Sequence, residues 1–180
     1  EEVVGEALHS FRDKVVIATK CGVQHGKNCL IVDSRPETIR KSVEGSLKRL
    51  RTDYIDLYYQ HRIDPQISPE EVAGTMAELI QEGKIRYWGI SEVNEEYLCR
   101  AHAVCPVTAV QNRYSMMARW YERLFPVLEE LNIGYVAFSP LANGFLSGRY
   151  GKDARFETGT DYRSVMPQFA PESREKNREL

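Results

Sequence analysis

Two side chains that can handle a proton directly follow short β-prone runs of the sequence. Lys20 comes after VVIAT, and His61 comes after LYYQ. An ammonium can lower the pKa of a neighbouring acid, and a neutral imidazole can hydrogen-bond a carbonyl oxygen or relay a proton. Each residue taken alone is also explained by a solvated strand end. Their occurrence at the same end of adjacent strands strengthens the case for a shared site.

Other polar and aromatic residues occupy the equivalent place after later β-prone runs. Reactive groups of parallel barrels lie where strands end and loops begin. The residues at these positions are Ser91 with Glu92, Gln111 with Tyr114, and Phe138 with Ser139. The sequence therefore predicts one cluster built from the ends of several strands.

The elements that must position these residues alternate between short β-rich runs and stretches with helical spacing. This alternation is typical of βαβ units on a parallel sheet. The predicted strands cover residues 15–19, 54–59, 87–90, 108–111 and 134–139. The stretch 143–171 is rich in Gly, Pro, Arg and aromatic residues and is predicted to be a long loop, followed by a helix that begins at Pro171.

Helical periodicity fills the gaps between the predicted strands. Ser34 and Glu37 can form a capping box, and Ser68 with Glu71 repeats this arrangement before the next helix. Asn94 can cap a third helix. The predicted buried stripes of the first two helices are Ile39, Val43, Leu47 and Leu50, and then Val72, Met76, Leu79 and Ile80.

The strand count bears on the choice between two α/β architectures. A closed (β/α)8 barrel takes about 250 residues and eight strands, so five parallel strands cannot close one. An open doubly wound sheet fits the length better, but its first βα turn should carry a glycine-rich phosphate loop. The chain has no GxGxxG and no Walker A sequence. The predicted fold class is therefore an α/β TIM barrel that is incomplete in this chain.

Composition excludes several classes of function. The 180 residues carry a formal net charge of -2 with no separate Lys/Arg block, which argues against a nucleic-acid partner. No apolar run approaches the roughly 20 residues of a membrane helix. The four cysteines form no CxxC pair and have no His at metal spacing, so we expect no metal site. The sequence predicts a soluble, cytoplasmic protein.

Five sequence blocks follow one another in a specific order from residue 15 to residue 148. They are VVIATKCG, IDLYYQHRIDP, GKIRYWGISEVN, AVQNRYS and YVAFSPLANGFLSG. In this order and context the chain resembles the aldo-keto reductase superfamily. The resemblance implies that residues 1–180 form a single barrel domain, truncated at both ends, with about strands three to seven of the barrel present.

The resemblance also implies catalytic roles. Lys20 and His61 match the lysine and histidine of an Asp-Tyr-Lys-His tetrad. In such enzymes the tyrosine protonates the carbonyl oxygen, the lysine lowers the pKa of that tyrosine, and the histidine orients the carbonyl. No residue of this sequence matches the aspartate and tyrosine, which the family places upstream of Glu1. We therefore expect the 180 residues alone to lack the general-acid step.

A cofactor site follows from the same resemblance. Ser91 and Gln111 match the residues that hold the nicotinamide carboxamide, and Phe138 matches the aromatic residue that stacks on the nicotinamide ring. Glu92 departs from the asparagine common after the serine, although its carboxylate could still accept the amide hydrogen bond. The residues that match the pyrophosphate loop are Ser139, Leu141 and Gly144. The expected cofactor, NADP(H), is a property of the family.

The expected function is therefore NADP(H)-dependent reduction of aldehydes or ketones to alcohols, with a small-molecule carbonyl substrate and no metal. Two alternatives stay open: a cofactor-binding regulatory subunit of the same fold without catalysis, and an inactive truncated fragment. We expect the isolated chain to fold poorly or to associate, for example as a homo-oligomer. Open parallel edges would expose unpaired backbone groups.

Overall fold

A five-stranded sheet organises the computed structural model, which describes residues 1–26, 29–151 and 153–176. The strand order is β1-β4-β5-β6-β7, and the registers of β1 with β4, β4 with β5 and β5 with β6 are parallel. The strands are β1 Ala18–Cys21, β4 Ile55–Gln60, β5 Ile85–Ser91, β6 Ala109–Arg113 and β7 Gly134–Phe138, with β2 Val23–His25 and β3 Leu30–Val32 in a separate hairpin. The predicted α/β class with five strands is confirmed.

Helices alternate with the strands of the sheet. They are α1 Glu2–Leu8, α2 Pro36–Leu50, α3 Pro69–Gln81, α4 Glu95–Val104, α5 Phe125–Glu130 and α6 Pro171–Lys176. The chain divides into two compact units, the first made of Glu1–Asn112 with Arg123–Val136 and the second of Arg113–Glu122 with Ala137–Leu180. A single domain over residues 1–180 stays a prediction. None of the described helices is long and apolar enough to cross a membrane.

Two of the three predicted helix caps are confirmed. The Ser68 hydroxyl accepts from the Glu71 amide at 3.2 Å, and Asn94 accepts from the Tyr97 amide at 2.9 Å. The capping box of Ser34 and Glu37 is wrong, because α2 begins at Pro36 and its N-cap is Arg35, which makes no side-chain cap. The Ser34 hydroxyl instead accepts a hydrogen bond from the Gln60 side chain.

The buried core lies between the sheet and the helices of the first unit. The predicted stripes of α2 and α3 are confirmed apart from Ile80, which is half-buried. Tyr58, Trp88 and Ile90 point from β4 and β5 into this core and have no exposed surface. The Trp88 indole donates to the Cys105 carbonyl at 3.3 Å, so its one polar atom is satisfied.

The first strand begins later than the sequence indicates. Residues 15–17 were predicted to belong to it, but β1 starts at Ala18 and continues through Cys21. The amide of Ile17 donates to the Asp56 carboxylate at 2.9 Å, so a side chain occupies a backbone group that a strand would use. Lys20 therefore lies inside β1 rather than after it.

Two further segments differ in detail from the prediction. The hairpin of β2 and β3 was not predicted, and its two strands pair antiparallel from Val23 with Val32 to His25 with Leu30. The long loop contains 3-10 turns at Ala142–Ser147, Tyr162–Val165 and Pro167–Phe169, within a second unit that also holds a cluster of aromatic rings. The predicted helix at Pro171 is present as α6; its last four residues, 177–180, lie outside the described residues.

Candidate active site

Strand register places the predicted site residues of the first unit on one face of the sheet. Lys20 is level with Tyr59, and Tyr59 with Gly89. Ser91 lies two residues beyond Gly89 and is level with Gln111. Because alternate residues of a strand share a face, Lys20, Ser91 and Gln111 share the face of Tyr59. The carboxyl ends of four neighbouring strands thus contribute to one site.

His61 joins this face through the backbone. Its amide donates to the Cys21 carbonyl at 2.9 Å, which extends the pairing of β1 and β4 one residue past the strand. His61 lies two residues after Tyr59, so alternation places it on the same side as Lys20. Its side chain is half-buried. The two proton-handling residues predicted from sequence therefore lie near the ends of adjacent strands, Lys20 inside β1 and His61 just after β4.

Gly89 leaves room for the Tyr59 ring beside the backbone of β5. A Cβ atom at this position would lie 2.5 Å from both the Ala109 carbonyl oxygen and the Tyr59 ring. The Tyr59 ring therefore packs against the backbone of β5, where a side chain would otherwise stand. The Lys20 ammonium lies 5.6 Å from the centre of this ring, within the range of a cation–π contact. Neither Tyr59 nor Gly89 was predicted as part of the site.

The electrostatic environment of Lys20 disfavours its charge. Burial lowers the pKa of Lys20, and the positive charge of Arg62 lowers it further. Within the described ranges, no carboxylate oxygen lies within 4.0 Å of its ammonium. A negative group placed beside Lys20 would therefore be strongly stabilised, because it would relieve the repulsion between two neighbouring cations.

Asn112 fixes the turn that follows Ser91. Glu92 adopts a left-handed backbone with φ of 56°, and its amide donates to the Gln111 carbonyl at 3.1 Å. The fully buried Asn112 side chain accepts from the Val93 amide and donates to the Val93 carbonyl, both at 3.1 Å. The orientation of Ser91 and Glu92 is thus set from β6. Asn112 was missed, because its partner lies nineteen positions away.

Gln60 fixes the end of β4 in the same way. This buried amide donates to the Ser34 hydroxyl and accepts from the Tyr97 hydroxyl, both at 3.1 Å. The next residue but one, Arg62, donates to the His61 carbonyl at 2.7 Å and to the Ser91 hydroxyl at 3.3 Å. Arg62 was also missed, and the sequence offered only its position next to His61.

The remaining predicted residues belong to the second unit. Phe138 ends β7 with 42% of its surface exposed, and the Arg113 guanidinium lies 5.7 Å from the centre of its ring. The Phe138 carbonyl accepts from the Tyr114 amide at 3.1 Å. The Tyr114 hydroxyl donates to Glu122 at 2.8 Å, which gives this tyrosine a structural partner. An aromatic ring at this strand end is thus accessible for stacking.

The loop after β7 has an unusual backbone. Ser139, Ala142, Asn143 and Gly144 all have positive φ angles, of 55°, 48°, 61° and 92°. The Ser139 hydroxyl accepts from the Asn143 amide at 3.2 Å, which closes the loop, and Leu141 is exposed. A Cβ at Gly144 would lie 2.9 Å from the Tyr150 ring. The glycine therefore serves both the positive φ angle and the close packing of the Tyr150 ring.

The cysteine next to Lys20 belongs to the core. Among the described residues, no group of three or more His, Cys, Asp or Glu side chains could hold a metal ion. Cys21 adjoins Lys20, but burial raises the pKa of its thiol to about 12. Its thiol donates to the Tyr59 carbonyl at 3.5 Å and is therefore a core group.

Polar side chains gathered at the carboxyl edge of a parallel sheet are typical of α/β folds, including (β/α)8 barrels. Within that class the family is specific. The profile of the Aldo/keto reductase family matches residues 1–180, and the chain belongs to this family.

Individual relatives support the same family assignment. "Probable aldo-keto reductase 1" of Glycine max is 40% identical over 183 aligned positions, which cover 100% of this chain and 52% of that protein. The glycerol dehydrogenase of Gluconobacter oxydans superposes with a TM-score of 0.87 at 35% identity, over 97% of this chain and 55% of that one.

A third relative was solved with ligands. The aldo/keto reductase of Klebsiella pneumoniae, in complex with NADP and acetate, superposes with a TM-score of 0.65 at 32% identity, over 82% of this chain and 50% of that one. The chain thus spans about half the length of the relatives it matches.

Proposed function

We propose that the protein is an NADP(H)-dependent oxidoreductase that reduces the carbonyl group of a small aldehyde or ketone. The observation that carries this proposal is the position of Lys20 and His61, near the ends of adjacent strands, on the face that also holds Ser91 and Gln111. The family supports the reaction class, and the neighbour solved with NADP supports the choice of cofactor.

The family resemblance implies which residues would hold a dinucleotide. Within the first unit, Ser91 and Gln111 would hold the nicotinamide carboxamide, with Glu92 beside them. In the second unit, Phe138 has an exposed ring and matches the aromatic residue that supports the nicotinamide. The loop of Ser139, Leu141 and Gly144 would accommodate the pyrophosphate, because consecutive residues of positive φ can turn several backbone amides toward one anion. Bound NADPH would supply the hydride.

The proton chemistry falls to the lysine and the histidine. The half-buried ammonium of Lys20 would lower the pKa of a proton donor beside it, a role that the family gives to a tyrosine. His61 would hydrogen-bond the carbonyl oxygen and hold the substrate in line. Arg62 and Gln60 would keep the strand end that carries His61 in place.

The test combines cofactor binding with turnover in the full-length protein. NADPH titration followed by fluorescence should saturate, and Lys20→Met should abolish carbonyl reduction at neutral pH while cofactor affinity stays within a few-fold. Lys41→Met, on the exposed face of α2, is the matched control and should retain turnover. Near-normal turnover in Lys20→Met would contradict the assignment.

Saturable binding without turnover in the unsubstituted protein would favour a regulatory subunit. Absence of binding would favour an inactive fragment. A cytoplasmic location and self-association stay predictions, which cell fractionation and sedimentation would check.

A further inference from the structure

Arg62 is a half-buried cation within the candidate site. Its Nη1 donates to the His61 carbonyl and to the Ser91 hydroxyl. Across residues 1–26, 29–151 and 153–176, no carboxylate oxygen lies within 4.0 Å of the guanidinium. A partly buried charge without an ion pair is costly unless it is well hydrogen-bonded. The position of Arg62 therefore depends on these two oxygen acceptors.

The hydrogen bond from Arg62 determines where the hydroxyl proton of Ser91 can point. A guanidinium has donors only, so the Ser91 oxygen must act as the acceptor in this hydrogen bond. The hydroxyl proton of Ser91 must then point elsewhere, and no acceptor for it occurs in the described part of the chain. Ser91 is only 4% exposed, so bulk water reaches it poorly. The serine is thus prepared to donate a hydrogen bond to a ligand.

We infer that Arg62 is a positioning residue that holds Ser91 as a hydrogen-bond donor to the carboxamide oxygen of a bound nicotinamide. This inference rests on the proposed function. A serine without Arg62 could donate or accept, and the carboxamide could then bind with its oxygen and nitrogen exchanged. With Arg62 present only one orientation is favoured, and the face of the nicotinamide ring presented to the substrate is fixed with it.

The test is a double-mutant cycle in the full-length protein, with Arg62→Met, Ser91→Ala and the double variant. Arg62→Met should weaken NADPH binding up to about tenfold when Ser91 is present, the loss expected when the hydrogen bond between Ser91 and the carboxamide is no longer held in place. It should change binding less than about twofold in the Ser91→Ala background, because the residue it acts through is gone. Arg62→Lys should recover part of the affinity, since an ammonium can still donate.

A second ligand separates positioning from general damage to the fold. 2′,5′-ADP lacks the nicotinamide, so all four proteins of the cycle should bind it equally. If Arg62→Met lost the same NADPH affinity with Ser91 present as in the Ser91→Ala background, the inference would be overturned. A parallel loss of 2′,5′-ADP binding would overturn it too. If the unsubstituted protein binds 2′,5′-ADP and NADPH but shows no coupling, only this inference fails. If it binds neither, the proposed function fails with it.

Discussion

The side-chain amide of Asn112 binds both backbone polar groups of Val93, one at each of its two polar atoms. This pairing imitates a strand ladder at a place where β5 has already ended at Ser91. It lets the chain leave the sheet through the left-handed turn at Glu92 without exposing unsatisfied peptide groups in a buried environment. The position of Ser91 is therefore determined by a residue on the neighbouring strand.

Asn112→Asp should destabilise the full-length protein by about 2 kcal/mol, because a buried carboxylate would face the Val93 carbonyl and lose the donor. Urea unfolding would measure the change. Gln66→Glu makes the same amide-to-acid change at an exposed position and should leave the midpoint almost unaltered. A midpoint for Asn112→Asp equal to that control would contradict the role given to this amide.

Glu92→Asn should stabilise the protein by about 0.5 to 1 kcal/mol, because asparagine tolerates the left-handed region better than other residues with a β-carbon. Glu130→Asn, at the last residue of α5, makes the same change in a helical conformation, where no gain is expected. Thermal melts of both variants would show the difference. A stabilisation of equal size at both positions would point to charge removal rather than backbone relief.

Gly89→Ala should cost more than about 2 kcal/mol, since the new methyl group would overlap the Ala109 carbonyl and the Tyr59 ring. Gly74 in α3 is the contrast, because a Cβ there meets nothing within 4 Å. Gly74→Ala should stabilise the protein by up to about 1 kcal/mol through helix propensity. Opposite signs of the two changes in denaturant unfolding are the expected result; the same sign for both would refute the packing argument.

Tyr58→Phe should leave stability unchanged or raise it by up to about 1 kcal/mol. Among the described residues no well-formed hydrogen bond satisfies the hydroxyl of this buried residue, with only the Cys21 and Ser46 side chains beside it, and burial raises the pKa of Tyr58, so the neutral form is retained. Tyr97→Phe removes a hydroxyl that donates to Gln60, and it should destabilise by about 1 kcal/mol. Calorimetry would measure the stability of both variants. A larger loss of stability for Tyr58→Phe than for Tyr97→Phe would contradict the prediction.

Alkylation should distinguish Cys21 from the exposed thiols. Burial raises the pKa of Cys21 from 9.0 to about 12, so at about pH 8 the folded protein should be modified at Cys29 and Cys99 but not at Cys21.

The same raised pKa of Cys21 determines how stability changes with pH. The unfolded thiol ionises near pH 9 and the folded one does not, so stability should fall between about pH 9 and 12. Cys21→Ala should lessen that fall. Rapid alkylation of Cys21 at about pH 8, detected by mass spectrometry, would contradict the predicted protection of this thiol.

Sequence reasoning predicted the parts of the site that depend on local pattern. Lys20 and His61 were recognisable because each adjoins a β-prone run, and parallel strands bring such ends to one edge. The Ser68 and Asn94 caps were predictable for the same reason, since each bonds an amide three residues away.

The parts that depend on distant partners were not predictable. Ser34 has the sequence of a cap, yet its hydroxyl is used by Gln60, twenty-six positions away. Asn112 and Arg62 owe their roles to Val93 and Ser91, which only the sheet register brings near. Arg62 carries no local signal beyond following His61, because an arginine considered without its distant partner is expected to be a solvated charge.

The Gln60 amide has a further consequence for the motions of the protein. By joining Ser34 before α2 to Tyr97 of α4, it links three segments that are far apart along the chain. A fluctuation that freed the end of β4 would have to break both hydrogen bonds at once, so it should involve α2 and α4 together. The amide proton of His61, held by the Cys21 carbonyl, should therefore exchange with solvent as slowly as the core amides of those helices. The strand end that carries His61 would then belong to the slowest-opening part of the molecule.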